Sequence, residues 1–406
     1  MIRLLWFALL PALLHAEFLA GIARIEITPP SGVAMAGYAA RKGVATGVHD
    51  PLYASALVLQ NGEVSVAYIF LDLIGMNAPA VEQEVAKRFG IPNTVLVSIH
   101  THSGPDRSAA DWWKDAQTKI VTVVGRARAN LRPARIGAAT GQAPLGYNRR
   151  QVLPDGQVKM LWSNPQKLPT DPLDNTVSVL RIDDPSGNPR AILVNYAVHP
   201  VTLGAGNLQI SADYPGVMRQ ELEKQFPGTT AFFAMGGAGD INPFRAGDPD
   251  AFAATEEAGK ALAAVVQAIA RGIKTEAPVK LDFAAKVHGF DHRTDVTRKV
   301  PVAMSVAVIH PGICIVGIGG EVFVEHQIRL RESSDCNNTF FFGQASTLGA
   351  PLAGYIPTIR AAAEGGYGAD TGTQVEPGAG EILIDRAIVQ IHKFTGRLKP
   401  IPDLRY

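Results

Sequence analysis

The sequence predicts an α/β fold with a layered, mixed and mostly parallel sheet, flanked by helices, and a metal site at the carboxyl ends of its strands. Two observations carry this prediction. Buried strands rich in Val, Ile and Leu alternate with segments of helical period. Several of these strands also finish on a polar or charged residue, and open α/β sheets bind their ligands beyond the carboxyl ends of the strands.

Short strands and a long loop with His49 and Asp50 are predicted before residue 60, and a strand and a helix follow at 64–90. VSVAYIFL (64–71) reads as a buried strand, and PAVEQEVAKRFG (79–90) has a helical period that Gly90 closes. The next strand lies in TVLVSIHTHSGPD (94–106), which completes a strand, helix, strand order. That order predicts a parallel pair joined by a right-handed crossover.

Two histidines follow the apolar residues of the segment 94–106. If the strand remains extended through His102, the two-residue period places His100 and His102 on the same face of the sheet. A single His-x-His pair is a weak metal signal. Two hydrogen-bonded histidines that cap a strand remain the alternative at this point.

The middle of the chain repeats the pattern of strands and helices. Residues 112–131 are predicted to be helical, and the polar segment 146–174, rich in Gly and Pro, is predicted to form a loop or small hairpins. TVSVLRID (176–183) and AILVNYAVHP (191–200) are predicted strands, and the second ends on His199. TAFFAMGGAGDINP (230–243) is a strand that runs into a Gly-rich loop, before a helix in 251–272.

Further elements follow towards the end of the chain. ICIVGIGGEVF (313–323) predicts a strand with Glu321 at the start of a helix, where the helix dipole favours a carboxylate. TFFFG (339–343) is a further strand before a loop that contains Tyr355. EILIDRAIVQIHKF (381–394) is predicted to be a packing helix without chemistry.

Five strand ends are predicted to meet at one edge if the sheet is mostly parallel. They are Asp72, His100, His199, Asp240 and Glu321. Two histidines and a carboxylate match the ligands of a catalytic Zn²⁺, which takes three protein ligands and keeps a place for water. Fe²⁺ and Mn²⁺ are also compatible with nitrogen and oxygen ligands. The convergence of these residues predicts a metal-dependent active site.

The first 16 residues predict export. MIRLLWFALLPALLHA has a basic start, an apolar stretch and a small-x-small ending, which is the pattern of a signal peptide. We therefore expect a mature chain at 17–406 that forms one domain, without a transmembrane segment, in a secreted or periplasmic location. In an oxidising compartment Cys314 and Cys336 can form a disulfide, because a strand and a returning helix lie between them; two buried thiols are the alternative.

Composition excludes several classes of partner. The chain has 406 residues, is 47% hydrophobic and 18% charged, and carries a formal net charge of +1. Such a chain buries a large core and presents no basic surface for nucleic acid. The partner is thus expected to be a small molecule or a lipid, and the sequence gives no information on the oligomeric state.

The motifs together resemble the N-terminal catalytic domain of the neutral/alkaline, non-lysosomal ceramidases. The resemblance runs from about residue 21 to about residue 385. Its landmarks are the following motifs: IHTHSGPD at His100, NYAVHP at His199, GAGDINP at Asp240, the GGE turn at Glu321, and two tyrosines twelve positions apart, Tyr355 and Tyr367.

The resemblance implies a role for each of these positions. It implies one Zn²⁺ held by four ligands, namely His100, His199, Glu321 and Tyr355. It also implies that His102 and Tyr367 act on a substrate amide, that the loop of Asp240 and Asn242 contributes to catalysis, and that Arg149 lines the substrate pocket. The implied activity is hydrolysis of an N-acyl, ceramide-like amide by a metal-activated water.

The sequence departs from the family in two ways. Members commonly have Gly-Asp-x-Ser-Pro, whereas this chain has Asn242 at the serine position, and an amide cannot act as a nucleophile. Members also continue into a C-terminal β-sandwich domain, whereas this sequence ends at Tyr406. An esterase or phosphoester hydrolase on the same metal site, and a catalytically silent binding protein of the same fold, are therefore the alternative functions.

Overall fold

The structure, a computed structural model, describes residues 17–399, so the predicted signal peptide lies outside the described residues. Three mixed sheets carry the fold in this range, and helices pack on their outer faces. The helices are α1 (Pro79–Phe89), α2 (Ala110–Ala129), α3 (Asp213–Gln225), α4 (Ala251–Gly272), α5 (Val324–Ser333), α6 (Ile359–Glu364) and α7 (Ala379–Phe394). Among the described residues, none of these helices has the length and apolar character required to span a bilayer.

Each main sheet contains strands that the sequence pattern predicts. In order across the sheet, the first consists of β21 (Ala345–Ser346), β5 (Asn93–Ser98), β4 (Val64–Leu71), β3 (Tyr53–Asn61), β1 (Phe18–Glu26) and β6 (Arg132–Pro133). The second consists of β14 (Thr230–Met235), β12 (Pro189–Tyr196), β11 (Thr176–Asp183) and β7 (Arg135–Gln142). The third consists of β16 (Lys280–His292), β17 (Asp295–His310), β18 (Ile313–Ile318) and β20 (Asn338–Phe342).

Short paired strands connect the sheets around the site. The pairs are β2 (Gly47–Val48) with β13 (Gln209–Ile210), β8 (Gly146–Asn148) with β15 (Ile241–Pro243), β9 (Arg150–Val152) with β10 (Val158–Met160), and β19 (Glu321–Val322) with β22 (Tyr355–Ile356). The prediction of small hairpins after residue 146 is thereby confirmed. The helix predicted at 79–90 is also confirmed, and Gly90 ends it in the left-handed conformation at φ 68°.

The prediction of a mostly parallel sheet is wrong, because most neighbouring strands of the three main sheets pair antiparallel. A turn of two residues, Gly62–Glu63, connects β3 to β4, and similarly short turns connect β11 to β12 and β16 to β17. A connection this short permits only antiparallel pairing. Each main sheet nevertheless contains one parallel pair, namely β4 with β5, β12 with β14, and β18 with β20.

The described residues form three large hydrophobic clusters, which follow from the faces of the sheets, and a small fourth cluster that contains Tyr355. The inner faces of all three sheets meet in one cluster that includes Phe70, Phe232 and Phe342. Helices α1 to α4 cover the first two sheets, and α5 and α7 cover the third. The disulfide predicted as one alternative is present between Cys314 and Cys336, with a Cα separation of 6.1 Å.

Candidate metal centre

The segments that follow the parallel strand pairs carry the candidate metal ligands. His100 follows β5, His199 follows β12, and Glu321 follows β18. In a parallel pair both strands end at the same edge, so polar residues that follow them can meet. These three candidate ligands therefore lie at strand ends that can meet, although only one strand pair in each main sheet is parallel.

The strand that leads to His100 ends earlier than predicted. β5 stops at Ser98, and His100 adopts the left-handed conformation at φ 70°, which is uncommon for a residue other than glycine. The expectation that extension continues through His102 is thus wrong. The rings of His100 and His102 nevertheless lie together, with centroids 4.9 Å apart, because the turn brings them there instead of strand alternation.

Two imidazoles meet one carboxylate at the centre of the site. Glu321 Oε2 lies 3.3 Å from Nε2 of His100 and 3.2 Å from Nε2 of His199. Nδ1 of His100 lies 2.5 Å from the Ile74 carbonyl, and Nδ1 of His199 contacts the Ala238 carbonyl. A carbonyl only accepts hydrogen bonds, so each Nδ1 carries the proton and each Nε2 presents its lone pair to the site.

This donor set fits a divalent cation. Two lone pairs that face a carboxylate oxygen repel it unless a cation or a shared proton lies between them. Burial lowers the pKa of His199 to about 4, which disfavours the shared proton at neutral pH. Burial raises the pKa of Glu321, but His100 and His199 outweigh it and hold that pKa well below its usual range. His100, His199 and Glu321 would hold a Zn²⁺ with the ligand types that it prefers.

His102 stands beside this group and can serve either as a ligand or as a base. Its Nε2 lies 3.3 Å from Nε2 of His100, and ligand atoms of His100, His102 and His199 lie within 4.8 Å of one another. Burial and the two neighbouring histidines hold the pKa of His102 well below its usual range. The ring is thus neutral and can accept a proton.

An N-terminal loop that the sequence did not indicate fixes the position of His102. Arg41 donates to the backbone carbonyl of His102 at 2.7 Å, and the ring of Tyr38 contacts the imidazole edge with centroids 4.9 Å apart. Gly37 has a φ of 104°, and a Cβ there would lie about 2.5 Å from the ring. Gly37 and Tyr38 are adjacent in the sequence, but nothing in the sequence indicates that they contact His102.

Glu321 does not open a helix as predicted, because α5 begins only at Val324. Glu321 lies instead in β19, where it pairs in parallel register with Tyr355 of β22. This pairing brings together two residues that are far apart in the sequence. Burial and the charge of Glu321 raise the pKa of Tyr355, so its hydroxyl is neutral when no cation is near. Its role as the fourth ligand stays a prediction.

Arg149 lies in the middle of an aromatic cluster that adjoins the candidate metal centre. Its NH2 group donates to the Tyr355 hydroxyl at 3.1 Å and to the Gly239 carbonyl at 2.6 Å. The guanidinium carbon lies 5.2 Å from the ring of Tyr367 and 5.6 Å from the ring of Trp162. The structure therefore places two predicted residues, Arg149 and Tyr367, together with Trp162, which sequence reasoning did not identify.

Asp240 and Asn242 form hydrogen bonds with Arg149 and with residues around this cluster. The carboxylate of Asp240 accepts from Asn148 Nδ2 at 2.7 Å and from the backbone N–H of Val324 at 2.9 Å. Burial raises the pKa of Asp240 to about 6. Asn242 Oδ1 accepts from NH1 of Arg149 at 3.3 Å. These contacts give both residues positioning roles, while their direct action on a substrate stays a prediction.

Asp72 lies at the same sheet edge as the end of β5, as predicted, but its side chain binds a structural partner there. Both of its oxygens accept from the guanidinium of Arg219, at 2.7 Å each, and the Tyr53 backbone N–H donates to it at 2.8 Å. Both side chains of this ion pair are buried. Its function is to join the end of β4 to helix α3.

Comparisons with known proteins identify a family that this chain resembles in sequence. The sequence model of the neutral/alkaline non-lysosomal ceramidase N-terminal domain matches residues 18–271. Neutral ceramidase B of Dictyostelium discoideum is 27% identical over 218 residues, which cover 47% of this chain and 27% of that protein. Neutral ceramidase of Pseudomonas aeruginosa is 26% identical over 251 residues, which cover 55% of this chain and 36% of that protein. The matches thus span about a third of the length of these relatives.

Solved structures extend the likeness in fold to nearly the whole chain. The crystal structure of neutral ceramidase from Pseudomonas aeruginosa superposes with a TM-score of 0.73 and 18% identity, covering 95% of this chain and 76% of that one. A ceramidase complexed with C2 gives a TM-score of 0.76 and 19% identity, covering 96% and 78%. The family model describes the N-terminal domain of these ceramidases, and it matches more than half of this sequence. The chain therefore belongs to the neutral/alkaline non-lysosomal ceramidase family.

Proposed function

We propose that this protein is an exported, zinc-dependent hydrolase that cleaves the amide of an N-acyl, ceramide-like lipid into a fatty acid and an amine. The observation that carries the proposal is the contact of Glu321 Oε2 with Nε2 of both His100 and His199 at 3.3 Å or less. A Zn²⁺ held there would supply a Lewis acid that lowers the pKa of water to about 7. Family membership favours an amide as the bond that is cleaved.

His102 takes the role of general base in this proposal. Its neutral ring lies beside the ligands, and Gly37, Tyr38 and Arg41 hold it in place. A neutral imidazole can accept the proton of the attacking water and return it to the amine that leaves. No serine nucleophile is required, so Asn242 is compatible with this chemistry.

Arg149 and Tyr367 provide the other half of the active site. The guanidinium of Arg149 is buried with its charge beside the site, where it can stabilise negative charge on the acyl oxygen. Tyr367 is 39% exposed and adjoins Trp162, so its hydroxyl is accessible to a bound substrate. The rings of Tyr367 and Trp162 offer an apolar surface of the kind that lipid chains contact.

Turnover of a substrate panel tests the proposal. The purified protein is assayed on N-acyl sphingosines of different chain length, on a matched O-acyl ester and on a phosphoester, before and after metal removal and zinc reconstitution. We expect hydrolysis of the amides, its loss on chelation and its recovery with zinc. Preference for the ester or phosphoester would replace the amidase assignment, and absence of turnover by the zinc-loaded protein on the whole panel would favour a binding protein.

A further inference from the structure

A cavity distinct from the metal centre lies on the opposite side of the third sheet from the central core, between strands β16 and β17 and helix α7. It has a volume of about 640 Å³, which is within the usual range for small-molecule sites. Its lining includes none of the side chains assigned above to the metal centre. Nothing in the proposed catalytic mechanism uses this groove.

The polar part of the groove is cationic. Lys286, Arg386 and Lys393 line it, and none of the three forms an ion pair with a carboxylate in the described part of the chain. Asp385 is the acidic residue of the lining, and its Oδ1 already accepts from Arg329. The groove therefore has an excess of positive charge on a protein whose net charge is only +1.

A buried hydrogen-bond donor in the wall has no partner. Arg386 NH1 lies 2.7 Å from Nδ1 of His288, and because a guanidinium only donates, Nδ1 must accept. The neutral ring then carries its proton on Nε2, which is buried without a hydrogen-bond partner, and the side chain as a whole is 5% exposed. Burial and the charges of Arg386 and Lys286 lower the pKa of His288 to about 4, which agrees with a neutral ring.

Apart from Gln390, the remaining lining consists of apolar side chains and one glycine. Met304 and Val306 of β17 form the floor, and Val389 of α7 stands on the rim with 42% of its surface exposed. A buried donor without an acceptor destabilises a protein, and an acceptor from a ligand removes that penalty. An apolar floor combined with cations that have no carboxylate partner fits a ligand that has an alkyl chain and one acidic head.

We infer that the groove between β16, β17 and α7 binds a single-chain amphiphilic anion, with its carboxylate among Lys286, Arg386 and His288 and its alkyl chain over Met304 and Val306. The inference stands on the groove alone and does not require the proposed amidase activity. An anionic head joined to an alkyl chain occurs in free fatty acids and also in the anionic lipids of a bilayer, and the experiment separates these two sources.

Calorimetric titration with sodium dodecanoate below its micelle concentration tests the inference. Dodecanol supplies the chain without the charge, acetate supplies the charge without the chain, and vesicles of phosphatidylcholine with phosphatidylglycerol supply a bilayer. We expect dodecanoate alone to bind at one site per chain. The variants Lys286→Gln and Arg386→Gln should each weaken binding about tenfold, whereas Lys119→Gln, which removes one positive charge from the exposed surface of α2, should leave it unchanged.

A fatty acid is also a product of the proposed reaction, so binding at the metal centre must be distinguished. His100→Ala should retain dodecanoate binding, and loss of binding in this variant would overturn the inference. Equal binding of dodecanol, binding only to the vesicles, no binding at all, or binding that Lys286→Gln leaves unchanged would each overturn it as well. Lys286 is exposed, so its variant is expected to fold even if Arg386→Gln does not.

Discussion

Nε2 of His199 lies 3.2 Å from Oε2 of Glu321, although 122 positions separate the two residues in the sequence. Two sheets contribute to this contact, because His199 follows a strand of the second and Glu321 follows a strand of the third. Asn195 joins the same two sheets: its side-chain amide donates to the Phe341 carbonyl at 2.7 Å and accepts from the Phe341 N–H at 2.9 Å. The metal centre thus depends on the packing of two sheets as well as on its ligands.

Substitutions of the two histidines of the His-x-His motif should impair the enzyme in different ways. His100→Ala removes one of two imidazole ligands, and we expect its zinc stoichiometry to fall well below that of the wild type. His102→Ala should keep the metal and lower kcat by roughly 10²-fold, the usual scale for a positioned base. Elemental analysis and kinetics of both variants check this. Equal loss of zinc would instead assign His102 as a ligand, and full activity of His102→Ala would remove it from the mechanism.

Asn242 is expected to act through Arg149. Asn242→Ala removes the acceptor for NH1 of Arg149, and a hydrogen bond to a charged group contributes about 1.5–3 kcal/mol. We therefore expect kcat/KM to fall at least tenfold with unchanged zinc content. Asn242→Asp retains an acceptor at this position and should preserve more of the activity. If both variants lose activity equally, or lose zinc, Asn242 does not act by positioning Arg149.

Patterns of burial were sufficient to predict individual elements. The strand Val64–Leu71 and the helix that ends before Gly90 agree with the structure, because apolar periodicity and a left-handed glycine are local signals. Strand orientation was not predicted correctly, since it depends on how strands are connected. The dipeptide Asn61-Gly62 at the end of β3 is a known hairpin signal and could have indicated antiparallel pairing.

Parts of the site leave no local pattern in the sequence. The pairing of Glu321 with Tyr355 occurs in strands of two residues, which are too short to show alternation. The contacts of Tyr38 and Arg41 with His102 depend on a loop that crosses from another part of the fold. The site histidines could be predicted because each follows a long buried strand, whereas the residues that position them could not.

The buried ion pair of Asp72 and Arg219 should be important for stability. Asp72→Asn leaves a buried guanidinium without its counter-charge, and such losses destabilise a protein by about 3–5 kcal/mol. Denaturant unfolding of the variant measures this change. Asp115→Asn, which breaks the exposed pair with Lys119, is the matched control and should lower stability by about 0.5 kcal/mol or less. Similar effects of the two substitutions would show that the Asp72 pair is not structural.

Glu82 should make stability fall as pH rises towards neutrality. Its carboxylate is partly buried beneath the loop at Gly349, whose N–H donates to Oε2 at 3.1 Å. Burial raises the pKa of Glu82 to about 7, above its value in the unfolded chain, although the hydrogen bond from Gly349 opposes the shift. The folded state therefore binds this proton more tightly than the unfolded state, and the stability that protonation provides is lost as pH rises from about 4.5 to about 7.

Glu82→Gln removes this titration while it keeps the size of the side chain. Relative to the wild type, we expect the variant to gain about 1–2 kcal/mol between pH 4.5 and pH 7.5, since one pKa unit corresponds to about 1.36 kcal/mol and solvent screens a partly exposed carboxylate. Denaturant unfolding at both pH values measures the difference. Glu84→Gln makes the same substitution at an exposed position of α1 and should follow the wild type. If Glu82→Gln also follows the wild type across this range, folding does not raise the pKa of Glu82.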